Sequence, residues 1–301
     1  MAPPPGQAPV LDRSSPRPPA AWLLVDGSSL IFRAFYGSPP TKGPDGNLTN
    51  AIRASIDMLA RFISDRHPER VVVATDEDWR PAFRVELIPS YKAHRVAEPI
   101  PPLLEPQLPV ALEVMEAAGI QVARADGYEA EDVIASIAAK VLGRIEILSG
   151  DRDLYALVED PRVSVLYPEG KGIVSEVDEA EITRRYAIPG RAYADYAVLR
   201  GDPSDGLPGL PGIGDKRAAA MIQRFGSIEA LIKTGAMNAE QVDYLTRATA
   251  VVQPRRDLSI SVSDLPLVLA APKDWARLET LTERYGLASS VERLMKAIAR
   301  S

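Results

Sequence analysis

Three short apolar runs lead into an acidic residue: Trp22-Leu23-Leu24-Val25-Asp26, Val71-Val72-Val73-Ala74-Thr75-Asp76 and Ile145-Glu146-Ile147-Leu148-Ser149-Gly150-Asp151. Runs of this kind, separated by helical patterns, predict parallel strands buried on both faces. Helical spacing occupies the gaps. Ile52, Ile56, Leu59 and Ile63 form one stripe, Leu112, Met115 and Ile120 a less regular one, and Val133, Ile134, Ile137 and Val141 a third, within Ala130 to Leu142. The alternation predicts an α/β fold, a mainly parallel sheet with helices on both faces. From about Glu179 the pattern turns helical: Ile182 to Ala187, Tyr193 to Leu199, Arg217 to Phe225 and Leu281 to Ala299. The expected organisation is a disordered proline-rich tail over 1–20, an α/β core over 21–184 and a helical domain over 185–301. No internal repeat is found.

Composition removes several classes. No apolar run approaches the ~20 residues of a membrane helix, and the apolar stretch from Ala20 to Val25 is too short for the core of a secretion signal. The absence of cysteine rules out disulfides and thiolate metal sites, and two histidines, His67 and His94, do not build a histidine metal site. An intracellular protein is expected, in the cytoplasm. The net charge of −6 is unevenly placed: residues 182–301 carry 17 Lys and Arg against 13 Asp and Glu, so the acidic excess lies in the N-terminal part. Bound dications offset acid concentrated in this way.

Between Asp76 and Leu112 runs a long segment rich in basic residues and proline, with Arg80, Arg84, Lys92 and Arg95 followed by Pro99, Pro101, Pro102, Pro106 and Pro109. A connection of that length within a domain is functional or disordered. Its place just after an acidic strand end favours function.

Ligands of parallel sheets bind at the carboxyl ends of the strands. Asp26, Asp76 and Asp151 stand there, Asp153 follows at i+2, Glu129, Glu131 and Asp132 open a predicted helix, and Asp202 and Asp205 lie at the end of another helix and in the loop after it. Nine acids gathered at one edge repel one another and raise one another's pKa. Hard dications such as Mg²⁺ and Mn²⁺, which take oxygen ligands, relieve that repulsion. Two such ions held close together serve phosphodiester hydrolysis and need no serine, cysteine or histidine nucleophile.

The stretch from Gly201 to Arg217 is dense in turn formers. Gly209, Gly212 and Gly214 follow a G-x-x-G-x-G spacing after no strand, unlike a dinucleotide fingerprint, and Asp215 stands where a P-loop needs lysine. A turn between two helices is expected, with Asp215 as the N-cap of the second and Lys216 and Arg217 in its first turn. Free backbone N–H groups there suit a phosphate of the DNA backbone.

Taken together, Leu24-Val25-Asp26-Gly27, Ala74-Thr75-Asp76, Phe83-Arg84 with Tyr91-Lys92, Gly127-Tyr128-Glu129-Ala130-Glu131-Asp132, Gly150-Asp151-Arg152-Asp153, and Gly201-Asp202-Pro203-Ser204-Asp205 with Gly209 to Lys216 resemble the 5′–3′ exonuclease family, from about residue 22 to 290. That family comprises the 5′ nuclease domain of bacterial DNA polymerase I and the flap endonucleases. The resemblance implies a PIN-like nuclease core, a helical arch over about 79–110 and a helix–three-turn–helix motif that grips duplex DNA and binds K⁺. It implies a monomeric nuclease, associated with the bacterial nucleoid, cutting DNA at 5′ flaps and 5′ ends, RNA primers on DNA included, with two or more Mg²⁺ or Mn²⁺ ions. Asp26, Asp76, Glu129, Glu131 and Asp132 would hold the first ion, and Asp151, Asp153, Asp202 and Asp205 the second. Lys92 would stabilise charge on the scissile phosphate. Arg33, Arg84 and Arg95 would contact phosphates, Tyr36 and Tyr91 would stack on the end base, and Gly209, Gly212, Gly214, Lys216 and Arg217 would meet the duplex backbone. Two positions depart from the family: Glu131 replaces Asp, and Gly206 replaces Asn, keeping the turn but losing an amide. The alternatives are a non-cleaving DNA clamp and an RNA-directed relative of the same fold.

Overall fold

Strand β1 (Trp22–Asp26) lies in the middle of the sheet and sets its plan. A computed structural model describes residues 20–97, 100–170, 172–262 and 272–300; the expected N-terminal tail, apart from Ala20, lies outside the described residues. After β1 come α1 (Gly27–Gly37), α2 (Asn50–Arg66), β2 (Arg70–Ala74), α3 (Ala82–Leu87), α4 (His94–Ala97), α5 (Gln107–Ala118), β3 (Gln121–Ala123), α6 (Ala130–Lys140), β4 (Ile145–Leu148), β5 (Val163–Gly170) and β6 (Ile173–Val177). The strand order is β3-β2-β1-β4-β5-β6, parallel throughout except for β6, which runs antiparallel at the edge. The chain winds outward from β1 to β3, then returns to place β4 on the other side of β1. The crevice at the carboxyl ends of β1 and β4 is therefore the topological switch point, where open α/β sheets take their ligands.

Alternation along the strands explains the burial on both faces. Trp22 and Leu24, Val72 and Ala74, and Ile145 and Ile147 enter one apolar cluster with α6. Leu23 and Val25, Val71 and Val73, and Leu148 enter the other, with α1, α2 and α5. The remaining elements are α7 (Glu179–Tyr186), α8 (Tyr193–Arg200), α9 (Asp215–Phe225), α10 (Ile228–Lys233), α11 (Ala239–Val252), α12 (Trp275–Tyr285) and α13 (Ala288–Ile298). The first cluster continues into α8 to α11 through Tyr196, Ile222, Leu231 and Leu245.

The last two helices depart from the expected division at residue 185. Leu278, Leu281, Val291 and Leu294 belong to the second cluster, packed on the α/β core, and Arg293 grips Asp57 of α2 at 2.8 and 2.9 Å. An apolar stripe on a helix demands a partner without naming it. Here the partner is α2, more than 200 residues earlier in the chain.

Candidate metal and nucleic-acid site

Asp26 ends β1 and begins α1, so its carboxylate is fixed twice: Oδ1 accepts from Ser29 N at 2.9 Å and Oδ2 from Ser149 Oγ at 2.6 Å. Ser149 follows β4, and its hydroxyl also accepts from Asp151 N at 2.9 Å. Ser29 Oγ accepts from Gly150 N at 3.0 Å. The two serines thus stitch the carboxyl ends of β1 and β4 together across the switch point. Asp151 Oδ1 in turn accepts from Asp153 N at 2.9 Å, which holds Asp153 at the start of a 3₁₀ turn, Asp153–Leu157. Asp76, two residues past β2, accepts from Ala130 N at 2.7 Å, at the N-terminus of α6 where an anion is favoured. Sequence reading missed the two serines; nothing in their local pattern separates them from other strand-end serines.

Burial and mutual repulsion mark these acids. The Asp26 carboxyl is pushed up to about 7, by burial first and then by Asp76. Burial also raises Asp76, with Glu129 adding to it, and Glu131, against the opposing pull of Arg84. It raises Asp153, reinforced by Asp151, Asp205, Glu131 and Asp202, and it raises Asp205 despite Lys92. Among the described residues Asp26, Asp76, Asp151 and Asp153 form no ion pair, Asp76 feeling Lys92 only at longer range, and no three carboxylates converge on a common ligand point. The donor set is all oxygen, buried and short of positive charge, which fits hard dications.

These raised values give a pH dependence with a definite sign. Unfolded carboxyls ionise near 4, whereas in the fold the same groups keep their protons longer. Their contribution is therefore most favourable below about pH 4 and is lost as pH rises through the folded values, for Asp26 between 3.8 and about 7. A dication favours the ionised form and reverses the trend. Between about pH 5 and 8 the melting temperature in chelator is expected to fall, and the increment on adding Mg²⁺ or Mn²⁺ to grow. Thermal melts with and without metal across that range check it; an increment that ignores pH would detach these carboxyls from the metal.

Four protein cations serve the remaining acids, Arg200 reaching Asp202 at 3.2 Å and Lys92, Arg84 and Arg95 the others. Lys92 bonds Glu129, and Arg84 bonds Glu129, Glu131 at 3.0 Å and Asp132 at 2.8 Å. Burial opposes the charge on Lys92, but Asp205, Glu129 and Glu131 outweigh it and hold its pKa above the usual lysine range. Arg95 lies 3.7 Å from Asp205, and Arg33 rests against Gly150.

Four expectations change. Arg84 is completely buried, with Nε donating to Val251 O at 2.9 Å at the end of α11, so its guanidinium faces carboxylates and a helix C-terminus rather than a phosphate. Tyr91 is 2% exposed and donates its hydroxyl to Glu129 at 2.7 Å, which leaves no open ring face for a base. Asp132 is fully buried. Its Oδ1 accepts from Arg84 and from Arg255 N, both at 2.8 Å, and its Oδ2 from Glu129 N at 3.3 Å, so it organises the start of α6 instead of facing a metal. Asp215 is the first residue of α9, not its N-cap, and accepts from Tyr196 of α8 at 3.0 Å. Tyr36, by contrast, is 72% exposed.

The loop between α8 and α9 folds back on itself. Leu210 N bonds Leu199 O at 3.0 Å, and a Cβ on Gly209 would lie 2.5 Å from Arg200 O, so only glycine permits the crossing. Gly212, Gly214, Lys216 and Arg217 are exposed at the mouth of α9, and Arg217 bonds Gly212 O at 2.8 Å. Among the described residues no helix is long and apolar enough to cross a membrane.

The sequence matches two family models: 5′-3′ exonuclease, N-terminal resolvase-like domain, over residues 21–187, and 5′-3′ exonuclease, C-terminal SAM fold, over residues 188–280. A 5′-3′ exonuclease of Streptomyces coelicolor is 44% identical over 300 residues, spanning 92% of this chain and 99% of its own. A 5′-3′ exonuclease of Mycobacterium tuberculosis is 40% identical over 314 residues, spanning 92% of this chain and 97% of its own. The T5 D15 protein, crystallised with metal ions, shares the fold with a TM-score of 0.64 at 17% identity, covering 92% of this chain and 97% of that one.

Proposed function

From the premise that this chain belongs to the 5′-3′ exonuclease family, we propose that it hydrolyses DNA phosphodiesters at 5′ flaps and 5′ ends with Mg²⁺ or Mn²⁺ held at the switch-point carboxylates. The observation that carries this reading is the acidic edge itself: unpaired carboxyls from β1, β2 and β4 beside a buried, ionised lysine. Asp26, Asp76, Glu129 and Glu131 would hold one ion, and Asp151, Asp153, Asp202 and Asp205 the other. The ions, when bound, supply Lewis-acid charge for the attack of water and the departure of the 3′ oxygen. Lys92 keeps its proton and directs an ammonium at the scissile phosphate, where charge grows during hydrolysis. Arg33 and Arg95 neutralise flanking phosphates, and exposed Tyr36 is available to stack on the end base. Lys216, Arg217 and the glycine backbone at the start of α9 hold the duplex by its phosphates, with K⁺ in the same loop, so sequence is not read.

Cleavage of a 5′-labelled flap duplex by the monomer, with Mg²⁺, with Mn²⁺ and with chelator, tests the whole reading. Metal-dependent cutting at or within about a nucleotide of the junction is expected; tight binding without cutting in any metal would favour a DNA clamp. Equal flaps of DNA and RNA separate a DNA nuclease from an RNA-directed one. Lys92→Ala is expected to slow single-turnover cleavage by about 100-fold or more. A loss below about threefold would take Lys92 out of the reaction.

A further inference from the structure

Asp215 stands where a grip on phosphates gains nothing from an acid. It opens α9 beside the exposed Lys216 and Arg217, and its side chain is 73% exposed, so a duplex held there by its phosphates meets a like charge. Two groups of α8 hold that carboxylate. Tyr196 donates its hydroxyl to Oδ1 at 3.0 Å, and a guanidinium nitrogen of Arg200 lies 3.7 Å from the same oxygen. Arg200 itself lies over the Tyr196 ring, 5.5 Å from its centre. Its Nε donates to Gly201 O at 2.9 Å, and a terminal nitrogen donates to Asp202 Oδ2 at 3.2 Å. One arginine therefore joins an acid of the switch-point edge to the acid that opens α9.

The helix that carries this link is itself fixed. Tyr196 is 2% exposed, and Tyr193 of the same helix meets Tyr155 edge-on, ring centres 5.2 Å apart, in the 3₁₀ turn that Asp153 begins. The other oxygen of Asp202 accepts from Ser204 N at 2.9 Å, and the backbones of Asp202 and Leu207 exchange bonds at 3.0 and 2.9 Å. The next part of the loop is pinned through Tyr244, whose hydroxyl donates to Val198 O at 3.1 Å and accepts from Gly209 N at 2.9 Å. The stretch from Gly212 to Arg217 is mostly exposed. The bond from Tyr196 to Asp215 reaches across that stretch and ties the first residue of α9 back to the helix that ends at the acids.

We propose that Tyr196 and Asp215 are positioning residues that set which phosphodiester is cut: their bond, with Arg200 across it, fixes the distance from the duplex grip at α9 to the carboxylates at the end of α8. The inference rests on the duplex-binding role given to Lys216 and Arg217 above. A duplex held by its phosphates is not read by sequence, so the scissile bond is selected by spacing. Tyr196→Phe keeps the buried ring and deletes the bond; Asp215→Ala deletes the same bond from the exposed side. The 5′-labelled flap duplex is cut under single-turnover conditions by wild type, both single variants and the double variant, and products are resolved to one nucleotide. Each single variant is expected to raise cutting at neighbouring phosphodiesters, relative to the main one, by about tenfold, the size of one hydrogen bond to a charged group. The double variant is expected to shift no further than either single one, because one bond is removed twice. In chelator, flap affinity is expected to stay within about twofold for Tyr196→Phe and to tighten by about two- to fivefold for Asp215→Ala, since a like charge has left the phosphates. A cut pattern in Tyr196→Phe that moves by less than about threefold overturns the inference, even if its rate or affinity falls, and leaves the nuclease reading standing. Shifts that multiply in the double variant also overturn it, because Tyr196 and Asp215 then act apart. If Asp215→Ala does not fold, Tyr196→Phe decides alone. A wild type that cuts in no metal overturns the nuclease reading and the inference with it.

Discussion

An Asp153→Asn protein is expected to lose flap cleavage by on the order of 10³-fold or more while binding the flap as before. Asparagine keeps the shape and the backbone bond from Asp153 N to Asp151 Oδ1, so the turn after β4 survives. What is lost is one negative charge at the centre of the acidic edge, where Asp151, Asp205, Glu131 and Asp202 all act on Asp153 and, among the described residues, no cation pairs with it. Removing that charge deprives a dication of a ligand and leaves the exposed Lys216 and Arg217 free to hold DNA. The same change relieves repulsion when no metal is present. The chelated variant is therefore expected to melt above wild type, with a smaller increment on adding metal. Single-turnover kinetics, fluorescence anisotropy in chelator and thermal melts check the three parts. Cleavage within about tenfold of wild type, with an unchanged melt in chelator, would remove Asp153 from the metal site.

The sequence makes the strands of the sheet's centre visible for a physical reason. β1, β2 and β4 are covered on both faces, so nearly every residue must be apolar and the acid at each end stands out. β3 has three residues, and the edge strand β6 mixes Ser175 and Glu176 with an exposed Ile173, so neither leaves a comparable trace. The apolar pattern from Leu281 to Ala299 reads as one helix, yet Gly286 takes φ 65° and divides it into α12 and α13; the glycine was a stop signal in plain view. The acids are legible as a group because strand ends share one edge of the sheet. Their individual roles are not, because those depend on partners far along the chain. Asp132 meets Arg255 across 123 residues, and Arg84 meets Glu129, Asp132 and Val251 across 45, 48 and 167. An arginine in a basic, proline-rich segment looks like a phosphate ligand until those partners are folded around it.

Arg84 separates the two views by a stability measurement. If its guanidinium met phosphate, Arg84→Met would weaken DNA binding, flatten its salt dependence and leave the fold intact. In the structure the side chain is fully buried and joins three carboxylates at the start of α6 to the Val251 carbonyl near the end of α11, so it ties α3, α6 and α11 at one point. Methionine fills much of the same volume but leaves Glu129, Glu131 and Asp132 buried, with Lys92 on Glu129 as the one ion pair left to them among the described residues. Removing one partner of such a group costs about 3–5 kcal/mol, because the charges left behind stay desolvated. Arg84→Met is expected to lower unfolding free energy by about that amount, more at pH 8 than at pH 5, since burial raises the Glu131 carboxyl and, once protonated, it no longer needs the guanidinium. Arg84→Lys keeps the charge but offers no planar fork to span three carboxylates and Val251 O, and is expected to recover less than half of the loss. Denaturant unfolding of the three proteins at both pH values checks this. A Met variant as stable as wild type, with weakened flap binding instead, would return Arg84 to the DNA surface.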